Sequence, residues 1–172
     1  MRKWLLPTLA ILCFIFESVF IQVLPSELFE LERIMIPRFV MVIIVIITMF
    51  TSLTTGMTYG FVMGLLYDLM YTDLIGVYMF AYTFIAYGVA MIMKLLHINI
   101  FTVILMTLLS IGILDFFVYG IMLVIKTTSI PTMDFLTVRL LPTLVLNLAF
   151  VILLFVPLRK QFLKIIDTNK DE

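Results

Sequence analysis

INIFTVILMTLLSIGILDFFVYGIMLVI, residues 98–125, carries one charged side chain, Asp115. A helix rises about 1.5 Å per residue, so roughly 20 apolar residues cross a hydrocarbon core about 30 Å thick. This run alone is long enough to span a membrane. Working outward, similar apolar runs between charges occur at 74–93, 57–71 and 37–54, then at 5–24 near the N-terminus and at 140–158 downstream. The third in chain order, 57–71, is the weakest, being short and glycine-containing. The composition agrees: of 172 residues 64% are hydrophobic and 13% charged, with a mean hydropathy of +1.25. Ordinary soluble domains run at about 45–50% apolar and about 25% charged. The expected fold class is therefore all-α, a polytopic integral membrane bundle of six helices. It forms a single transmembrane domain over residues 1–166, with a charged tail at 167–172.

The basic residues orient the bundle. Arg2 and Lys3 precede the first span, Lys94 and His97 sit between spans four and five, and Arg159, Lys160, Lys164 and Lys170 follow span six. Lysine and arginine near span ends favour the cytoplasmic side, so both termini are expected inside, which requires an even number of crossings. That parity keeps the weak third span as a crossing. The opposing side carries Arg33, Arg38, Lys126 and Arg139. Residues 25–33, PSELFELER, read as an acidic interfacial segment. The opening MRKWLLP is followed by no small-x-small cleavage pattern and is interrupted by Glu17, so it reads as a retained first helix rather than a signal peptide. The tail from Asp167 has no apolar periodicity and reads as a frayed end.

Charge and cysteine counts exclude several function classes. Eleven basic and eleven acidic residues balance, leaving no electrostatic footprint for nucleic acid or for polybasic attraction to lipid. One cysteine, Cys13, and one histidine, His97, cannot supply a disulfide, a multi-Cys/His zinc site or a triad needing a further histidine. No catalytic residue, cofactor site or metal site is expected. Gly64-x-x-x-Asp68 followed by Asp73 faintly resembles the metal-binding end of the CDP-alcohol phosphotransferase motif. The spacing to the second aspartate is five rather than four, and no Asp-Gly-x-x-Ala-Arg precedes it.

Polar residues inside the spans carry the remaining information, because an ionisable group in a bilayer needs a partner or a purpose. Glu17, Asp68 and Asp115 are such acids; Arg38, Arg139 and Asn147 complete the intramembrane polar set. Each acid can be protonated, snorkel, or pair with an arginine such as Arg38 or Arg139; alternatively, some line a partner or ligand surface. Gly60, Gly64 and Asp68 lie four apart on one helical stripe. Small residues at that spacing admit a second backbone, and the aspartate would give such a contact a polar lock. Gly76 follows in the next connection. In the last span Pro142 frees a backbone carbonyl and Asn147 can donate across helices. Trp4, Tyr59, Tyr71, Tyr78 and Tyr119 partly fit an interfacial aromatic belt. The thirteen methionines and sixteen phenylalanines are packing or lipid-facing residues.

The stretch YGFVMGLLYDLMYTDLIGVYMF, residues 59–80, resembles the rod shape-determining protein MreD family, in particular members from Gram-positive rods. The resemblance extends to RKWLLP at 2–7, ESVF at 17–20, IPRF at 36–39 and RLLPTLVLN at 139–147. It implies a multi-pass subunit of the bacterial cytoplasmic membrane, with a bundle similar to the substrate-binding subunits of energy-coupling-factor transporters. The implied role is a non-enzymatic scaffold of the cell-elongation complex. The partners it implies are MreC, MreB, RodA and a class B penicillin-binding protein, with Gly60, Gly64, Asp68 and Gly76 as partner or helix-packing residues. The alternative function is a vitamin-binding subunit of an energy-coupling-factor transporter.

Overall fold

A computed structural model describes the backbone of residues 4–23 and 34–170, and the side chains of all of these except residues 5 and 156–170. The acidic segment expected at 25–33 lies outside the described residues. The elements are α1 (Leu5–Val23), α2 (Phe39–Phe50), α3 (Leu53–Tyr71), α4 (Val77–Ile92), α5 (Ile100–Val124), a short α6 (Thr132–Asp134), a π-helical turn (Phe135–Leu140) and α7 (Leu141–Lys170). Among the described residues there is no strand. Three helical segments, 6–23, 100–124 and 132–155, are long and apolar enough to cross a membrane.

The centre of the bundle is α2, FVMVIIVIITMF, in which every residue is buried. A helix apolar on all sides belongs in a core, and α2 packs against α1, α3, α4, α5 and α7. Its 12 residues span roughly 18 Å, well short of a full crossing. The expected span at 37–54 is thus divided. Thr48 and Thr51 hydroxyls donate back to the Ile44 and Ile47 carbonyls, and Ser52 then caps α3 by accepting from the Thr55 amide. The chain therefore reverses at 51–52, and α3 begins earlier than the expected 57, making it 19 residues long.

The α3/α4 pair is the closest helix contact. A Cβ on Gly60 would lie 2.9 Å from the Tyr82 carbonyl oxygen, and one on Gly64 would lie 2.6 Å from Met79 Cα. The small-residue stripe thus lets two antiparallel backbones of the same chain approach, and of the two expected uses, partner contact or helix packing, Gly60 and Gly64 serve helix packing against α4. α4 starts at Val77 rather than at 74 because Gly76 takes φ +110°, a conformation that L side chains rarely adopt. A Cβ there would meet nothing within 4 Å, so Gly76 shapes the turn and does not pack a helix.

The last span begins before its expected start at 140. The helical backbone begins at Thr132, widens into the π turn and continues as α7 to Lys170, so the backbone expected to fray from Asp167 is helical to Lys170. Pro142 has no amide to bond the carbonyl four residues earlier, and the Val138 oxygen instead accepts from the Ile34 amide at 2.9 Å.

Candidate functional site: a buried arginine at the entrance to the central helix

Residues 34–38 lead into α2 without helical structure, so their peptide groups need partners from elsewhere in a region where water is scarce. α7 supplies them. The Thr143 hydroxyl accepts from the Ile36 amide at 3.1 Å. Asn147 Oδ1 accepts from the Arg38 amide at 2.9 Å, while its Nδ2 donates to the Ile36 carbonyl at 3.1 Å. One asparagine thus satisfies both a donor and an acceptor of the same strand-like segment. At the first turn of α2, Glu17 Oε2 accepts from the Val40 amide at 2.9 Å. A carboxylate suits this position, because the first amides of a helix lack intrahelical partners and carry partial positive charge.

The Arg38 side chain is 1% exposed. Its Nε and Nη2 both donate to Asp115 Oδ1, at 3.0 and 2.7 Å, and Nη1 donates to the hydroxyls of Tyr67 and Tyr78 at 3.2 and 3.3 Å. The guanidinium also sits 5.4 Å from the Tyr78 ring centroid and 6.0 Å from that of Tyr67. Tyr82 completes an aromatic group with these two, its ring 5.7 and 5.9 Å from theirs. One cation therefore joins α2, α3, α4 and α5. Among the described residues, Glu17 Oε1, Asp115 Oδ2 and the Tyr82 hydroxyl are buried without a hydrogen-bond partner. A single ion pair surrounded by fixed dipoles can hold four helices in one register; charge-assisted bonds of this kind are the stronger ones.

Asp68 is fully buried and belongs to a neighbouring device. Its Oδ2 accepts from the Gly76 and Met79 amides and its Oδ1 from the Tyr78 amide, each at 2.9 Å. It closes the α3–α4 turn by capping α4, and the polar lock read from the stripe is made within the chain. Among the described residues Arg139 makes no hydrogen bond or ion pair with either group; it is half-buried, with its guanidinium 5.9 Å from the Phe135 ring centroid.

The tyrosines were the residues that sequence reading missed. Tyr78 is not an interfacial belt residue but is 6% exposed beneath the α4 cap, and Tyr67 and Tyr82 had no assigned role. Tyr119 is likewise buried, its hydroxyl donating to the Ile130 carbonyl at 2.7 Å. The available signal was that Tyr67 directly precedes Asp68 while Tyr78 and Tyr82 fall four apart, on one face of a helix.

Comparison with known proteins agrees with the extent of the resemblance. The model of the family described as rod shape-determining protein MreD matches residues 2–165. The rod shape-determining protein MreD of Bacillus subtilis (strain 168) is 34% identical over 172 residues, covering 100% of both chains. No solved structure matches. With a buried arginine centre inside a bundle of apolar helices and a family match along nearly its whole length, this chain belongs to the rod shape-determining MreD family of membrane proteins.

Proposed function

We propose that the chain is a non-enzymatic scaffold of the cell-elongation complex in the bacterial cytoplasmic membrane. It binds MreC within the bilayer and, through that contact, gathers RodA, a class B penicillin-binding protein and MreB. Family membership supports the setting; the observation that carries the scaffold reading is α1. This helix turns Ala10, Cys13 and Glu17 inward, while Ile11, Leu12, Ile15, Phe16 and Val19 are exposed along its other side. That apolar ridge, with i and i+4 spacing, is left exposed by the rest of the chain's described residues and is open to a partner's membrane helix. Both termini are cytoplasmic in this reading, which the basic flanks favour.

The test places single cysteines at Ile15 and Val19 in a Cys13→Ala background, with Phe84, exposed on α4, as the control position. Cross-linking to a cysteine series in the MreC membrane helix is expected at Ile15 and Val19 and not at Phe84. Equal labelling at all three positions, or none with intact co-purification, would remove α1 as the interface.

The second reading, a vitamin-binding subunit in a bundle similar to energy-coupling-factor transporters, has one observation in its favour. A cavity of about 390 Å³, lined by Tyr71, Asp73, Tyr78, Val118, Met122 and Thr127 among others, opens between the α3–α4 turn and α5. Its size lies within the small-molecule range. Recovery of a stoichiometric metabolite and an ATPase partner from native membranes would favour this reading over the scaffold.

A further inference from the structure

Among the described residues Arg139 makes no ion pair. Among the described residues the ion pair formed is that of Arg38 with Asp115, and Arg139 Nε is buried with no hydrogen-bond partner. The side chain lines a cavity of about 270 Å³ whose other walls are Ile34, Ile130, Asp134, Phe135 and Val138. The Phe135 ring lies under the guanidinium, and the Val138 carbonyl is already bound by the Ile34 amide. Among the described residues the surroundings thus support the guanidinium on one side and give its Nε no hydrogen-bond acceptor. The exception in charge is Asp134, which is exposed and forms no ion pair with it.

Two features make this more than an idle surface arginine. It lies in the π turn at 135–140; such turns make up well under 1% of residues and occur frequently at functional sites. It also lies close to where the chain passes from the 125–131 connection into the last helix, at the end of the bundle opposite Lys94 and His97. A partly desolvated cation without a partner is costly, and the planar guanidinium fork matches a phosphate in two-point geometry.

We propose that the Arg139 cavity is a binding site for the phosphate of an anionic membrane lipid. The guanidinium takes the phosphate oxygens, and Ile34, Ile130, Phe135 and Val138 contact the glycerol and first acyl carbons. The apolar walls favour a lipid over a soluble anion, because a free phosphate gains nothing from four hydrophobic side chains. The volume accommodates a headgroup and the start of its chains, leaving the rest in the bilayer. The balanced overall charge excludes diffuse polybasic attraction but not one built site. Asp134, on the same cavity wall, opposes any anion bound there.

The test uses the full-length protein, delipidated in a nonionic detergent and titrated with dioleoyl phosphatidylglycerol, dioleoylglycerol or inorganic phosphate, with occupancy read by native mass spectrometry. Phosphatidylglycerol is expected to bind, dioleoylglycerol not to, and Arg139→Gln to weaken phosphatidylglycerol binding by about tenfold, the loss of one charge-assisted pair. Arg139→Lys, which keeps the charge but not the fork, weakens it less and serves if the glutamine variant does not fold; Asp134→Asn binds at least as well as the parent. Unchanged lipid binding in both Arg139 variants would overturn the site. Inorganic phosphate bound as tightly as the lipid, with the same dependence on Arg139, would overturn the lipid assignment in favour of a soluble anion.

Discussion

Arg38 and Asp115 are 77 positions apart, yet Arg38 Nη2 lies 2.7 Å from Asp115 Oδ1, with the two side chains 1% and 0% exposed. The pair bolts the entrance of the central helix to the longest apolar run in the chain. Because both partners are removed from solvent, the geometry predicts a strong asymmetry between breaking the pair and replacing it.

Asp115→Asn leaves the Arg38 cation without its countercharge. Loss of one partner of a buried pair costs about 3–5 kcal/mol, whereas substitution of both by apolar residues is often near neutral. Heating detergent-solubilised protein and measuring the fraction that remains monodisperse should show a large loss for Asp115→Asn. Much of it should return in Arg38→Met with Asp115→Leu. A single variant as stable as the parent would show that the pair does not hold the helices.

Gly64→Ala and Gly60→Ala are expected to destabilise through backbone collision, Gly64 more, since its added Cβ would lie 2.6 Å from Met79 Cα against 2.9 Å from the Tyr82 oxygen for Gly60. Overpacking costs about 1–3 kcal/mol and more where backbone must move. Gly88→Ala and Gly112→Ala meet nothing within 4 Å and should instead gain about 0.5–1 kcal/mol of helix propensity. The same thermal assay checks both signs. Loss of MreC association in a Gly64 variant would therefore report a damaged α3/α4 pair rather than a lost interface.

Asp68→Ala removes three acceptor contacts at the start of α4. One lost cap costs about 0.5–2 kcal/mol, and the effect here should reach at least the top of that range because the Tyr78 amide is buried. Asp68→Asn retains one acceptor oxygen, turns the other into a donor that faces backbone amides, and loses the charge favoured at a helix N-terminus, so it should cost at least about 1 kcal/mol and less than the alanine variant. Hydrogen exchange at residues 76–79 is expected to accelerate in the order Ala, Asn, parent. Unaltered exchange in the alanine variant would show that another group caps α4.

Asn147→Leu leaves the Arg38 amide and the Ile36 carbonyl without partners. Each unsatisfied buried group costs about 1–3 kcal/mol. Asn147→Asp, in its protonated form, keeps the acceptor for the Arg38 amide and loses one of the two Nδ2 donor contacts, which go to the Ile36 and Thr143 carbonyls, so it should fall between leucine and the parent. Proteolysis near 34–38 in detergent distinguishes them, with the leucine variant cut fastest. Equal resistance in both would show that α7 does not secure this segment.

Much of the helical plan was legible in the chain before its fold. The run at 98–125 yields α5 at 100–124, capped where Asn99 Oδ1 accepts from the Thr102 amide at 2.8 Å, because apolar length and a capping residue are local properties. The run at 37–54 contains α2 at 39–50 and the start of α3 at 53, because hydropathy marks apolar length and not where the chain turns. It could not show that Thr51 and Ser52 reverse the chain. The stripe of Gly60, Gly64 and Asp68 was legible as a close-contact face, but small residues announce only that a backbone comes near, not whose backbone.

Sequence alone determined that the chain lies in a membrane as helices, which family it resembles, and which polar residues needed a reason to be there. Each follows from counting along the chain, since transfer of apolar surface and the cost of charge in hydrocarbon act residue by residue. Tertiary structure alone decided how those residues are used: Arg38 with Asp115 and two tyrosines, Glu17 on α2, Asp68 on α4, Asn147 across to 34–38, and Arg139 over the Phe135 ring with no ion pair among the described residues. These pairings depend on the depth and rotation of separate helices, which are set together when the bundle packs and leave no periodic trace in any one segment.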